Sequence, residues 1–549
     1  MAYGQIDTPY KKLLSDAENA QKKGRLGEAI ERYGKVLALD PTNHMALNNL
    51  SLIYITLAKF DLAEDAIMKI METPEADAST FNHLAIVYMR TSRLVQATKL
   101  LEHALVLDPF KLETFLNLAN AFGLMKEYDT AFHYALEAIK ANPTSSFAFN
   151  NLGTVLSQMA KFEEAEIAYQ TAAELDSNNI EAFVNLGSLQ VAAGKQHLAI
   201  DTYEKALSRL KKTAGGQIDV IKFLLSFEYL KSGNLKKGWE FYDSGFHPSV
   251  PVTSARVAAR TFKKPLWKGQ PIPGKTLLLW REQGLGDEIM FMSCVRDLLK
   301  IHSKIILEVD KRLVETIQRS FPTITVRAQN YGPPPQFEAV YHDYDFHLPV
   351  GSLMRYLRPT LEHFKTSGPY IAISEDKKSK FSDRLKAYEG KTLVGVCWRS
   401  GTLDPTRALG YTSLMSWAPL FDLKDAVWIN LQYGDCEAEC VAAEQAFGID
   451  IIRWDDLDLK DDLDDVFALI AALDVVVTAA TAVHHMAAAA GAETILLAPR
   501  RAWNRFGLDH DPWFANLHPV LISQDDFGGS LEHIKSYIEH EFVTGAGQS

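Results

Sequence analysis

Six alanines recur at one interval: Ala29, Ala63, Ala97, Ala131, Ala165 and Ala199, each 34 residues after the one before. A second series keeps the same interval, Asn49, His83, Asn117, Asn151 and Asn185. A period of this length means stacked two-helix units, none able to bury its apolar face alone. A small residue once per unit lets the two helices approach closely. In one unit Phe115, Leu118, Ala119 and Phe122 set the i, i+3, i+4, i+7 stripe of a first helix, and Ala131, Ala135, Ala138 and Ile139 the stripe of a second. Pro143 stops that second helix, and Pro41, Pro74 and Pro109 close earlier units, because proline cannot continue a helix. Units therefore start near residues 10, 44, 78, 112, 146 and 180. A seventh, atypical hairpin around 219–246, with Gly238 and Tyr242 at the repeat positions, fits a terminal capping unit.

Residues 1–246 thus resemble the tetratricopeptide repeat family. Stacked repeats make a superhelix whose concave surface is lined by the first helix of each hairpin. Asn49, His83, Asn117, Asn151 and Asn185 fall at one point of that helix, and Asn48, Asn82 and Asn150 precede it in three units. An asparagine amide carries two donors and an acceptor, so it can pair with both groups of a guest backbone. The alternative is that these amides bond within the repeats or to solvent. The arrangement resembles the asparagine ladder of the repeat-bearing protein O-GlcNAc transferases, which implies that these five residues bind an acceptor protein.

At 549 residues the chain is too long for one domain. Its formal charge is −12. Residues 1–246 hold 25 basic and 30 acidic residues, so −5 of that total, and the rest carries −7. Neither part reads as a nucleic-acid binder by bulk charge. No apolar run approaches the roughly 18 residues of a membrane span, and the N-terminus lacks the apolar stretch of a signal peptide. Cys294, Cys397, Cys436 and Cys440 make no disulfide framework, and no second pair joins Cys436 and Cys440 in a zinc site. The expectation is a cytoplasmic protein without a metal or a membrane partner. The segment 247–275 carries Arg256, Arg260, Lys263, Lys264, Lys268 and Lys275, five prolines and no acid, and reads as a linker packed across a domain junction.

From about residue 275 short apolar strands alternate with helices: Thr276–Trp280, Ile305–Val309, Thr323–Val326, Leu393–Trp398, Val427–Leu431, Val475–Thr478 and Thr494–Leu497. The alternation predicts parallel doubly wound sheets, with ligand in the cleft at the carboxyl ends of their strands. The expected architecture is an α-solenoid followed by two α/β Rossmann-like domains. Its bounds are 1–246 for the repeats, 247–274 for the linker, 275–385 for the first sheet domain and 386–549 for the second.

Three segments carry candidate chemistry. In Glu282-Gln283-Gly284-Leu285-Gly286-Asp287 the two glycines allow a tight turn and close backbone approach to a ligand. Asp287 is then either a base for an incoming hydroxyl or only a helix cap. In Trp398-Arg399-Ser400-Gly401, followed by Arg407 and Tyr411, arginine suits a phosphate or carboxylate. In Thr478–Met486 a strand ends in small and hydroxyl residues that open an alanine-rich helix, whose first N–H groups suit phosphate oxygens. The alternative there is an ordinary strand-to-helix turn. Arg500, Arg501, Trp503 and Arg505 follow the next strand and could complete an anion pocket. The adjacent His484 and His485 point in different directions and do not read as a metal pair. The acidic stretch from Asp455 to Asp465 reads as helix capping plus a solvated face.

Together these segments resemble a GT-B glycosyltransferase of the heptosyltransferase-like kind over residues 270–525. The resemblance implies Asp287 as the base. It implies donor contacts from Gly284, Gly286, Arg399, Ser400, Arg407, Thr481, Ala482, Val483, His484 and Arg501, with no metal and no cofactor beyond the nucleotide-sugar substrate. One departure is Ala480, where such enzymes usually carry an acid; its loss suits an acidic donor sugar. The whole arrangement resembles the bacterial flagellin glycosyltransferases, on strings such as Cys397–Gly401 and Leu431-Gln432-Tyr433-Gly434-Asp435. That likeness implies transfer of a nonulosonic acid from a CMP donor to serine or threonine of flagellin. A UDP- or ADP-activated donor, a lipid-linked or small-molecule acceptor and a non-catalytic scaffold stay open as alternatives.

Overall fold

A computed structural model describes residues 11–210, 216–247, 249–250, 256, 260–330, 339–365, 368–400, 412–498, 502–522 and 527–543. The chain divides into two units, Met1–Lys211 and Lys212–Ser549.

Among the described residues the first unit is twelve helices in six hairpins. They are α1 Lys11–Lys22, α2 Leu26–Leu39, α3 His44–Thr56, α4 Phe60–Met71, α5 Ala78–Arg90, α6 Leu94–Leu107, α7 Leu112–Leu124, α8 Tyr128–Ala141, α9 Ser146–Gln158, α10 Phe162–Leu175, α11 Ile180–Ala192 and α12 Gln196–Arg209. The six ladder alanines are all fully buried, as close helix approach requires. Two further 34-residue series emerge. Gly24, Ala58, Ser92, Lys126, Ala160 and Gly194, each at the turn inside a hairpin, adopt positive φ between 54° and 78°. Asn43, Asp77, Ser145 and Asn179 cap the first helices, each side chain accepting from a backbone N–H three residues on. Lys111 holds the equivalent place in α7 without a side-chain cap.

The atypical hairpin is α13 Gly216–Lys231 and α14 Leu235–Tyr242. It falls in the second unit. Trp239 and Tyr242 are buried there against Phe291 and Trp503. Aromatic surface of this size is what fixes the hairpin to the sheet region.

Next come β1 Leu277–Trp280, α15 Leu285–Met292, α16 Val295–Leu299, β2 Ile305–Val309, α17 Val314–Ser320, β3 Thr325–Ala328, β4 Phe346–Pro349 and α18 Leu353–Leu357. After α19 Glu375–Leu385 follow β5 Thr392–Cys397, α20 Ala418–Phe421, β6 Ala426–Asn430, α21 Glu437–Phe447 and β7 Ile451–Ile452. The last elements are α22 Leu463–Ile470, β8 Val475–Ala479, α23 Ala482–Ala490, β9 Glu493–Ala498, β10 Leu517–Leu521 and α24 Phe527–Ile538. The first sheet has the order β3-β2-β1-β4 and the second β10-β9-β8-β5-β6-β7, with every pairing parallel. Counted from β5, the second sheet is a doubly wound 3-2-1-4-5-6 sheet. Strands β1, β2 and β8 are buried at every residue, the signature of sheets covered on both faces. The chain reverses strand order between β1 and β4 in one sheet and between β5 and β8 in the other. Those two points are where ligand crevices form.

The basic segment after α14 packs on the first sheet. Phe262 stacks on His347 with ring centroids 3.8 Å apart, and Trp267 N donates to His347 O at 2.9 Å. Its arginines meet acids: Arg256 pairs with Glu282 and Asp243, and Arg260 with Glu308. The acidic stretch differs from a solvated face. Asp462 does cap α22, accepting from Asp465 N at 3.2 Å. Asp464 and Asp465, however, are buried, and they pair with Arg319 and Lys377, which join the helices packed around the first sheet to α22. These acids are held by cations brought from elsewhere in the chain, a contact no local pattern reveals.

Candidate active site

The glycine loop leaves the carboxyl end of β1 and enters α15. Gly284 occupies the N-cap position, so Asp287 is the third helical residue rather than the cap. Its negative charge is favourable beside the first-turn N–H groups. The half-buried Asp287 places Oδ2 3.6 Å from where a Cβ on Gly284 would stand. Glu282 of the same loop is buried and held by Arg256, and it accepts from Gly351 N, just past β4, at 2.8 Å. Burial pushes its carboxyl up, against the pull of Arg256. Gln283 Nε2 donates to the Tyr242 hydroxyl at 2.6 Å. The loop is therefore pinned on one side to the β4 turn and on the other to α14. Tyr242 is held well above the ordinary phenol range by burial first, and Asp287 adds to the shift.

Thr481 caps α23 at the end of β8, its Oγ1 accepting from Val483 N at 3.2 Å. Ala482 and His484 supply first-turn N–H groups with no partner inside the helix. Burial lowers His484 to about 4 and also holds His485 well below the ordinary imidazole range. Both imidazoles are neutral at ordinary pH and can offer a hydrogen bond but no charge. Nδ1 of His484 and both ring nitrogens of His485 lack a partner among the described residues.

These two segments meet. A Cβ added to Gly286 would lie 3.1 Å from His485 Nδ1 and 3.3 Å from the Ala482 Cα. Any larger residue would press on both, and the glycine loop of one sheet is seated on the helix start of the other. Beside them, Cys397 at the end of β5 lies 3.6 Å from Thr481 Oγ1, and Ser400 Oγ lies 3.3 Å from the Tyr433 hydroxyl.

Other sequence candidates lie elsewhere. Arg399 is turned into α21, where Nε donates to Glu439 Oε1 at 2.9 Å and Nη2 to Asp435 O at 2.8 Å. Its charge is thus already countered. Arg505 is buried, and burial lowers its pKa despite the nearby Asp511; it forms part of the core and not of an open anion pocket. Arg407, Tyr411, Arg500 and Arg501 lie outside the described residues. In the repeats, Asn49, Asn117, Asn151 and Asn185 are half-buried and His83 is buried. Burial holds the His83 imidazole below its ordinary pKa.

Sequence reasoning missed a cavity of about 520 Å³ at the carboxyl ends of β6 and β7, lined among others by Gln432, Tyr433, Trp454 and Asp455. The available signal was the polar run that follows each buried strand.

A family model described as the N-terminal tetratricopeptide repeat region of Psidin matches residues 19–218. The N-terminal unit is a tetratricopeptide repeat solenoid. It is followed in the sequence by an α/β region of parallel sheets. Protein FlbA of Caulobacter vibrioides (strain ATCC 19089 / CIP 103742 / CB 15) is 30% identical over 318 residues, 56% of this chain and 52% of that protein. The chain thus spans about half the length of this relative. Among solved structures, YrrB, titled a TPR protein with an unusual peptide-binding site, is 18% identical. That match covers 32% of this chain and 89% of YrrB at a TM-score of 0.26. A tetratricopeptide repeat protein of Parabacteroides merdae is 15% identical, covering 44% of this chain and 93% of its own at 0.34. Among the described residues no helix is long and apolar enough to cross a membrane, and no cluster of side chains could hold a metal ion.

Proposed function

We propose that the chain is a protein O-glycosyltransferase of the GT-B kind, with a nucleotide-sugar donor at the second sheet and an acceptor protein recruited by the repeats. The observation that carries this reading is the seating of Gly286 on Ala482 and His485. It brings the loop that carries Asp287 at one switch point beside a helix start at the other, a juxtaposition that suits a two-substrate transfer.

In this reading Asp287 takes the proton of an acceptor serine or threonine hydroxyl. The oxygen bonds to the anomeric carbon as the bond to the donor phosphate breaks, and the nucleotide leaves with that electron pair. The N–H groups of Ala482 and His484 and the neutral His484 ring face the developing phosphate charge, as fixed dipoles do best. The repeats contribute proximity. FlbA supports relatedness alone. Ala480, which removes a negative charge from this turn, favours an acidic sugar, and with it a CMP-activated nonulosonic acid passed to flagellin. The same Ala480, with Arg399 held by Glu439, favours a second reading: a repeat scaffold that binds nucleotide without transferring sugar.

Intact-mass measurement of a flagellin co-expressed with this protein and a donor pathway tests the proposal. A mass increment that disappears with Asp287→Asn supports it. An increment unchanged by that substitution removes Asp287 as the base, and no increment with any donor leaves the scaffold.

A further inference from the structure

The cavity at β6 and β7 has a wall whose polar groups are mostly engaged. Asn430 and Gln432 bond each other, Gln432 also accepting from Arg399 N at 3.0 Å. Arg453 is held by Glu444 at 2.7 Å, Asp456 by Arg384, and Asp458 accepts from Lys460 N at 2.8 Å. Among the described residues, the Asp455 carboxylate has no partner, and it is an exposed residue of the cavity lining.

The cavity's place in the sheet identifies what it can take. β7 is two strands from the switch strand β5, so its end lies about 10 Å away at the usual strand spacing. That is the reach from the phosphate of a nucleotide to its base. In a sheet of this order a ribose is gripped by an acid after the second strand. Asp455 follows the third, one strand farther out.

We propose that this cavity holds the donor base and that Asp455 selects a base bearing an exocyclic amine over uracil. The proposal rests on the nucleotide-sugar reading above. A carboxylate accepts from an amine such as N4 of cytosine or N6 of adenine. Uracil instead presents two carbonyl oxygens around its single N–H, and each would face the carboxylate lone pairs. Asp455 is exposed, and a base seated in the cavity would cover it; a polar pairing desolvated in this way discriminates against the analogue that lacks the donor. Trp454, half-buried against Phe381 and Arg384, adds aromatic surface to the lining.

Titration calorimetry of the full chain with CMP, AMP, GMP and UMP tests this. The expected result is that at least one amino-bearing nucleotide binds about tenfold or more tighter than UMP, the range of one charged hydrogen bond. Asp455→Asn, whose amide can turn a donor to a uracil oxygen, should erase most of that ratio. Asp461→Asn, which lies outside the cavity lining, should leave it intact. UMP binding as tightly as the best of the others overturns the proposal, as does Asp455→Asn weakening all four equally. In both cases nucleotide binding itself stands. Failure of all four to bind removes the nucleotide-sugar reading as well.

Discussion

Asn117 Nδ2 donates to Asn82 Oδ1 at 2.8 Å, and Asn185 Nδ2 donates to Asn150 Oδ1 at 3.0 Å. Each bond joins a ladder asparagine to the asparagine that precedes the ladder position in the unit before. At the corresponding place before Asn151 stands Leu116. Asn151 turns to the Leu116 carbonyl at 3.3 Å, and its own Oδ1 is buried without a partner among the described residues. The ladder therefore works between repeats. An amide has two N–H groups and two acceptor sites, so one bond inside the solenoid leaves capacity for a peptide.

That division predicts different costs along the ladder. Asn117→Ala and Asn185→Ala leave a buried amide oxygen on Asn82 or Asn150, and each should cost about 1–2 kcal/mol. Asn151→Ala removes only a long bond and an unmet acceptor, so it should cost well under half of that. Denaturant unfolding followed by helical circular dichroism measures the three. Equal losses would show that the inter-repeat bonds contribute nothing of their own. Asn151→Ala is then the variant for testing acceptor capture on an intact solenoid.

Lys111 should be an easy site to improve. Its backbone is already extended (φ −68°, ψ 109°) and its side chain caps nothing, while Asn43, Asp77, Ser145 and Asn179 cap the equivalent turns. Lys111→Asp places an acceptor and a negative charge at the start of α7. The expected gain is about 1 kcal/mol. An unchanged or lower unfolding midpoint would mean that the cap geometry is not reached.

The repeat was legible because its buried positions demand one residue type: Ala29 and its successors have no room for more. The turn series was not legible. Positive φ recurs at Gly24, Ala58, Ser92, Lys126, Ala160 and Gly194, but exposed turns tolerate many side chains at a modest cost, so no pattern survives in the letters. In the second unit the parallel sheets could be read from apolar strands, and the glycine loop from its two glycines. What could not be read was long-range pairing. Arg399 looks like an anion ligand until Glu439, forty residues on, is seen to hold it. The hairpin with Gly238 and Tyr242 looks like a last repeat until Trp239 is found among aromatic rings of the sheet region. The strained turns carry a prediction: Ala58→Gly or Lys126→Gly should relieve left-handed strain, raising stability by about 0.5–1 kcal/mol in the same unfolding measurement.

The two loop glycines should respond unequally. A Cβ at Gly284 meets only Asp287 Oδ2, at 3.6 Å, whereas one at Gly286 presses on His485 and on the backbone of Ala482. Gly284→Ala should leave thermal stability within about 1 kcal/mol of the parent. Gly286→Ala has to push α15 and α23 apart and should cost about 1–3 kcal/mol, the usual range for overpacking. It should also abolish transfer under the reading above. Equal tolerance at both positions would mean that the two switch points are not held together.

Glu288, next to Asp287, carries the clearest pH signature. Burial raises its carboxyl from 4.5 to about 7, against the pull of Arg281, whose Nε donates to Oε2 at 2.7 Å. An unfolded chain loses this proton near 4.5 and the folded chain near 7. Between those values the folded state binds more protons, so this group lowers stability as pH rises through the window. Asp511, raised to about 7 by its own burial, acts in the same direction. Glu288→Gln keeps an uncharged side chain of the same shape, and Arg281 retains Asp310 at 3.3 Å. Denaturant midpoints measured from about pH 5 to pH 8 should fall less steeply in Glu288→Gln than in the parent, and less still with Asp511→Asn added. An unchanged slope in the double variant would assign the pH dependence to other groups.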